Sequence, residues 1–201
     1  MDNALQTVLN RNPNMKYDKM TAKILVTRKL PPQAEKTMAG MFTCQFNDDD
    51  KPKSADQIVA EAQGMDGIAI TSMDKFGAEL ISRLPHSVKI LATVSVGHEH
   101  IDIPAAKARG IVVTNTPDVL TDATADIALL LMLGAARGAY WGERLVRENR
   151  WSGFSIVHPL GKDVSDMRLG ILGMGRIGVA VAKRAKGFNM EIHYHNRQPS
   201  E

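Results

Sequence analysis

From Lys23 onward, short runs of β-branched and apolar residues alternate with stretches of helical spacing, and Pro, Gly or Ser marks each handover. KILVT (residues 23–27), FTCQF (42–46), GIAIT (67–71), KILATVSV (89–96) and GIVVTN (110–115) read as strands. Helices are expected to start near Pro32, Ser54, Lys75 and Ile103. Ser54 has the hydroxyl to cap ADQIVAEAQ, and Gly64 beyond it is free to adopt positive φ. This rhythm predicts an α/β fold whose parallel sheet is covered on both faces, with ligand loops at the strands' carboxyl ends. SVGHEHID, following Val94, is one such loop.

A second region begins near Leu120. The chain runs from there to Trp151 without a proline and is expected to form one long helix capped by Thr121, with Asp122 and Asp126 favouring its positive end. Apolar residues from Ile127 to Leu133 lie all round it, so it must be covered on every side, partly by another subunit. Residues 153–166 form a loop leading to the strand RLGILG (168–173).

Composition narrows the field without naming a chemistry. The 201 residues are 44% hydrophobic and 23% charged, ordinary for a soluble globular protein able to bury a core. The 25 Lys+Arg against 22 Asp+Glu leave +3, with both signs spread apart from Asp48-Asp49-Asp50, so no nucleic-acid arm is expected. Residues 1–20 are polar and lack the apolar core of a secretory signal, so residues 1–22 read as a loose leader. The most apolar stretch, 127–136, is too short for a membrane span. Cys44 is the single cysteine, which excludes an intrachain disulfide and a multi-thiolate metal site; a reducing, cytoplasmic interior is the simplest setting. Its thiol reads as a small buried hydrophobe.

Gly173-Met174-Gly175-Arg176-Ile177-Gly178 fits G-x-G-x-x-G, a weak signal alone but here preceded by a strand and followed by a helix and a second strand, 191–195. Ile177, Val181, Ala185 and Phe188 would form that helix's packing face. The first glycine suits a tight turn, the second lets backbone approach a pyrophosphate, and the third lets helix and strand pack closely; helix-start amides meet the phosphates. An NAD site places a carboxylate at the end of the second strand, where this chain has His195-Asn196-Arg197, and Glu191 lies at the opposite end. With no carboxylate to repel a 2′-phosphate and Arg197 to bind it, NADP (NADPH) is expected over NAD.

His98-Glu99-His100 invites a metal or base reading. In an extended stretch the two histidines share a face with Glu99 opposite, but two ligands do not close a zinc site, and no metal is expected. His193 and His195 alternate on the last strand as sheet-face residues, and His86 and His158 have no chemical context.

SVGHEHIDIPAAKARGIVVTNTPDVLTDATADIALLLML followed by LGILGMGRIGVAVAKRAKGFNMEIHYHNR resembles the D-isomer-specific 2-hydroxyacid dehydrogenases, most of all the glyoxylate/hydroxypyruvate reductases, over residues 23–197. The resemblance implies a flavodoxin-like substrate domain (23–119) followed by an incomplete Rossmann-type dinucleotide-binding domain (120–201). It also implies that the backbone N–H groups of Val96 and Gly97 hold the substrate carboxylate. Thr124 matches a position near the nicotinamide, Met174 to Ile177 match residues around the pyrophosphate, and Asn196, Arg197 and Gln198 match the 2′-phosphate site. The helix from Leu120 would help form a homodimer. The family's substrate-binding arginine and its glutamate-held catalytic histidine lie beyond residue 201, so no catalytic residue is assigned here.

Two readings follow. One is NADPH-dependent reduction of a small 2-oxoacid, and the other is a non-catalytic truncated remnant that keeps nucleotide-loop elements. A metal hydrolase built on His98 and His100 is a distant third.

Overall fold

The structure, a computed structural model, describes residues 22–157 and 160–199. Of the expected leader only residue 22 lies among them, and His158 lies outside them. The chain divides into two compact units, Met1–Val119 and Leu120–Glu201.

In the first unit, β1 (Lys23–Val26), α1 (Pro32–Met41), β2 (Thr43–Gln45), α2 (Ala55–Glu61), β3 (Gly67–Thr71), α3 (Ala78–Arg83), β4 (Ile90–Val94), α4 (Ile103–Ala108) and β5 (Val112–Thr114) follow in order. Every strand expected there forms, and the flanking residues of the longer runs become loop. Ser54 caps α2 in a full capping box with Gln57, and Gly64 takes φ 71°. α3 starts later than Lys75 because Asp74 and the Phe76 backbone are engaged in long-range hydrogen bonds. The five strands are parallel in the order β2-β1-β3-β4-β5, the flavodoxin-like arrangement.

That order decides which faces are covered. The chain steps outward once, from β1 to β2, then reverses and runs through β3 and β4 to β5. Right-handed crossovers then put α1 on one face and α2, α3 and α4 on the other. Leu25, Ile68, Ile70 and Leu91 pack under the three helices with Ile58, Phe76, Leu80 and Ile81. Val26 and Ala69 pack with Leu30, Ala34 and Met38 at α1. β3 is buried on both sides, which is why it reads as a continuous apolar run. The expected two-sided cover is therefore incomplete: α1 shields the β1 side only, and Val94 and Val112 stay 51% and 58% exposed.

Asp74, 6% exposed, accepts at one oxygen from Thr27 Oγ1 (2.8 Å), Thr71 N (2.9 Å) and Thr71 Oγ1 (3.2 Å), tying together the carboxyl ends of β1 and β3. Asp74→Ala removes the acceptor of the part-buried Thr71 N–H and hydroxyl and leaves Thr27 Oγ1 only the Ala69 carbonyl at 3.2 Å, so urea unfolding is expected to lose about 2 kcal/mol. An unchanged midpoint would refute this role.

The second unit holds α5 (Thr121–Arg137), α6 (Ala139–Arg147), β6 (Arg168–Leu172), α7 (Arg176–Ala185), a 3₁₀ turn (Lys186–Phe188) and β7 (Glu191–His195), with β6 and β7 parallel. The expected single long helix is two. Gly138 takes φ 64°, its N–H turns back to the Gly134 and Ala135 carbonyls, and the two axes bend by 69°. Thr121 is the first helical residue and makes no cap; Leu120 precedes it without a side-chain bond. Arg184 of α7 grips Asp126 (2.6 Å) and Asp122 (3.0 Å) of α5. On α7 the fully buried residues are Gly178, Ala180 and Ala185, while Val181 is half-buried and Ile177 is exposed. The apolar face expected on that helix is narrower than its spacing suggests, because small residues make the closest contact.

Candidate functional site

Two loops at strand carboxyl ends carry the candidate chemistry, one in each unit. After β4, residues 95–102 turn instead of continuing extended, and Ile101 N closes onto His98 O at 3.0 Å. Each carbonyl before that turn is tied. Thr116 N binds Ser95 O (2.9 Å), Asn115 Nδ2 binds Val96 O (2.7 Å) and Ser95 Oγ binds Gly97 O (2.7 Å). Phe76 N holds His100 O at 2.8 Å, and Asp102 N returns to Phe76 O at 2.9 Å, clipping the loop to the segment after β3.

A trans peptide directs each N–H opposite to the preceding C=O. The N–H groups of Val96, Gly97 and His98 therefore point away from the groups that anchor their carbonyls. Among the described residues nothing accepts a hydrogen bond from any of the three. Unpaired, preoriented amides suit an anion such as a carboxylate. Val96 and Gly97 are both half-buried. The Glu99 carboxylate folds back against the Gly97 α-carbon. What a side chain at position 97 would first meet is thus the flexible end of Glu99. That carboxylate also opposes an incoming anion, so Glu99→Gln should tighten anion binding at this loop about two- to five-fold. Isothermal titration with oxamate tests this, and weaker binding by the variant would count against the site.

His98 is exposed and lines a hollow of about 530 Å³ with Lys107 and Val112 beside β5. His100 is half-buried with Nε2 3.0 Å from Thr93 Oγ1. The shared face expected of the two histidines is lost in the turn. No three His, Cys, Asp or Glu side chains among the described residues converge on a metal-sized space. Cys44 is half-buried in β2, and burial pushes its thiol up from the usual range.

In the second unit, Gly173 takes φ 100° directly after β6, a conformation that favours glycine. A Cβ on Gly178 would collide with Gly173 O, so the third glycine lets α7 close onto the turn. A Cβ on Gly175 would meet nothing within 4 Å: its outward side is open. No side chain caps α7, and its first turn carries no acidic residue. Gly175, Arg176, Ile177 and Gly178 thus bring their amides to an uncapped helix start beside Met174, an anion cradle that fits a dinucleotide pyrophosphate.

Leu172 pairs with His195, and Gly173 N binds His195 O at 2.9 Å. This brings Asn196, Arg197 and Gln198 to the same end of the sheet as the glycine turn. Glu191 lies at the other end, 2.8 Å from His193 Nε2. Thr124 is not joined to this cluster within the unit. Asp122 and Asp126 turn toward α7, so Thr124 stands on the far side of α5, exposed.

Sequence reasoning missed Thr93, Ser95, Asn115 and Thr116. Ser95 opens the quoted loop without having been given a role, while Asn115 and Thr116 reach the loop only because β4 and β5 pair, and no local pattern announces that.

Residues 24–194 match the family model described as D-isomer specific 2-hydroxyacid dehydrogenase, catalytic domain. The chain is 41% identical over 172 residues to a glycerate dehydrogenase of Hyphomicrobium methylovorum, covering 86% of this chain and 53% of the relative. It is 40% identical over 186 residues to a glyoxylate reductase of Pyrococcus horikoshii, covering 90% and 55%. An NADPH-dependent glyoxylate/hydroxypyruvate reductase of Sinorhizobium meliloti, solved in complex with NADP and malonate, superposes with a TM-score of 0.76 at 35% identity, covering 90% and 55%. The chain spans about half the length of the curated relatives it matches.

Proposed function

The chain belongs to the D-isomer specific 2-hydroxyacid dehydrogenase family, and on that premise we propose that it carries the oxoacid-carboxylate loop and the dinucleotide-pyrophosphate turn of an NADPH-dependent reductase. The substrate is a small 2-oxoacid of the glyoxylate/hydroxypyruvate type, reduced to a D-2-hydroxyacid. The observation that carries this reading is the loop after β4, whose Val96 and Gly97 amides are turned outward and unpartnered among the described residues. They would hold the oxoacid carboxylate and orient C2. Bound NADPH would supply the hydride. Gly173 and Gly178 shape the turn that receives the pyrophosphate, and the open side of Gly175 leaves room for it. The proton for the new alkoxide would come from a histidine outside residues 1–201, as the family resemblance implies.

Preference for NADPH over NADH rests on Arg197 with Asn196 and Gln198, exposed beside the glycine turn, and on the absence of a carboxylate at the end of β7. A charged hydrogen bond contributes roughly 1.5–3 kcal/mol. In a version of this protein joined to a carboxyl-terminal half, Arg197→Ala should weaken NADPH about ten- to a hundred-fold and leave NADH nearly unchanged. Equal losses in a fluorescence titration would remove the assignment.

A homodimer through α5 and α6 is supported by exposed apolar residues there, with Leu130 at 63%, Leu131 at 65% and Tyr140 at 74%. Leu130→Glu with Leu131→Glu should shift the mass measured by light scattering from dimer to monomer. A monomeric parent chain would refute the dimer at this face.

A further inference from the structure

We infer that His100 is a positioning residue that sets the direction of the Gly97 carbonyl through Thr93 and Ser95, and with it the face this loop presents to a carboxylate. The inference rests on the reading of residues 95–98 as the oxoacid loop.

Donor and acceptor capacity gives the chain of contacts one polarity. The Gly97 carbonyl can only accept, so it takes the single hydroxyl proton of Ser95 at 2.7 Å. Ser95 Oγ, 2.7 Å from Thr93 Oγ1, must then accept, which commits the Thr93 proton. Thr93 Oγ1, 3.0 Å from His100 Nε2, accepts in its turn, so His100 donates from a protonated Nε2. The sequence of donors is His100, Thr93, Ser95, and it ends on Gly97 O.

Thr93 is 2% exposed, so its hydroxyl has little water to turn toward. The base of the His100 ring is held independently, since Phe76 N binds His100 O at 2.8 Å. The far end of the relay is the place where the backbone most needs it. Glycine allows the 97–98 peptide to rotate more freely than any other residue would. A planar peptide moves the His98 N–H with the Gly97 carbonyl, so loss of the relay would misdirect one of the three outward amides. The Val96 carbonyl, held by Asn115, would stay in place.

The test uses the 201-residue chain labelled with ¹⁵N and ¹³C, oxamate as the probe, and four variants. His100→Phe and Thr93→Val break the relay, whereas His100→Gln and Thr93→Ser keep a donor or a hydroxyl at the same reach. Thermal melts identify any variant that fails to fold. In the free chain, the Gly97 carbonyl and His98 amide signals should move in the first pair and lie near the parent's in the second. Oxamate affinity, read from the Val96, Gly97 and His98 amide shifts, should fall about five-fold in the first pair and return in the second. An unmoved Gly97 carbonyl in folded His100→Phe and Thr93→Val would overturn the relay. A moved carbonyl with unchanged oxamate affinity would overturn the positioning role. If oxamate shifts none of the three amides in the parent chain, the reading of the loop as an oxoacid site fails and the positioning role falls with it. The Gly97 carbonyl signal then still reports whether the relay exists.

Discussion

Residues 1–201 expressed by themselves are expected to leave NADPH absorbance unchanged with glyoxylate or hydroxypyruvate, whereas the same residues joined to a family carboxyl-terminal half should turn over. The expected reason lies in the loop after β4, where His98, Glu99 and His100 are each turned to another contact. His100 Nε2 is engaged by Thr93, His98 turns to the hollow beside β5, and Glu99 carries the wrong charge to stabilise an alkoxide. A correctly placed general acid contributes roughly 10²–10⁴-fold. Comparable rates from the short and the joined chains would show that catalysis resides in residues read here as structural, with His98 and His100 the first to substitute.

The second large effect is expected at Gly178. Replacement by alanine sets a methyl group against Gly173 O, a backbone atom of a residue whose own N–H is held by the His195 carbonyl, so relief needs the backbone to shift. Overpacking of this kind costs about 1–3 kcal/mol, a large fraction for a unit with two strands and one crossover helix. Trp141 and Trp151 are the two tryptophans of the chain, and both lie in this unit, so their fluorescence in urea follows its unfolding. Gly178→Ala should lower that midpoint markedly. Gly175→Ala should leave it in place, because a Cβ there meets nothing, yet weaken NADPH where the pyrophosphate needs the space. Equal midpoints for the two variants would refute the division of labour between the glycines.

Local patterns carried much of the reading. The seven strands, the Ser54 cap, the Gly64 conformation and the strand–glycine turn–helix order each depend on residues within a few positions of one another, and each appears in the structure. The packing face of α7 was less legible. Ile177, Val181, Ala185 and Phe188 share the spacing, yet of these four only Ala185 is fully buried, because Gly178 and Ala180 make the close contact. One long helix was expected from Leu120, since helix propensity disfavours a single glycine by only about 1 kcal/mol, but Gly138 at φ 64° divides it into α5 and α6.

By itself, then, the sequence determined the alternating α/β order, the conformation of the glycine turn and the place of the loop after β4, because period, capping and φ preference act over one or two turns of chain. The tertiary structure decided which sheet face stays open, since that follows from the single reversal of crossover direction after β2. It also decided which way the amides of Val96, Gly97 and His98 point. Their carbonyl anchors come from Asn115 and Thr116 across the β4–β5 pairing and from Ser95, with Thr93 and His100 behind it, while Phe76 clips His100 from the segment after β3. Hydrogen-bond direction of that kind exists only once strands far apart in sequence have been laid side by side.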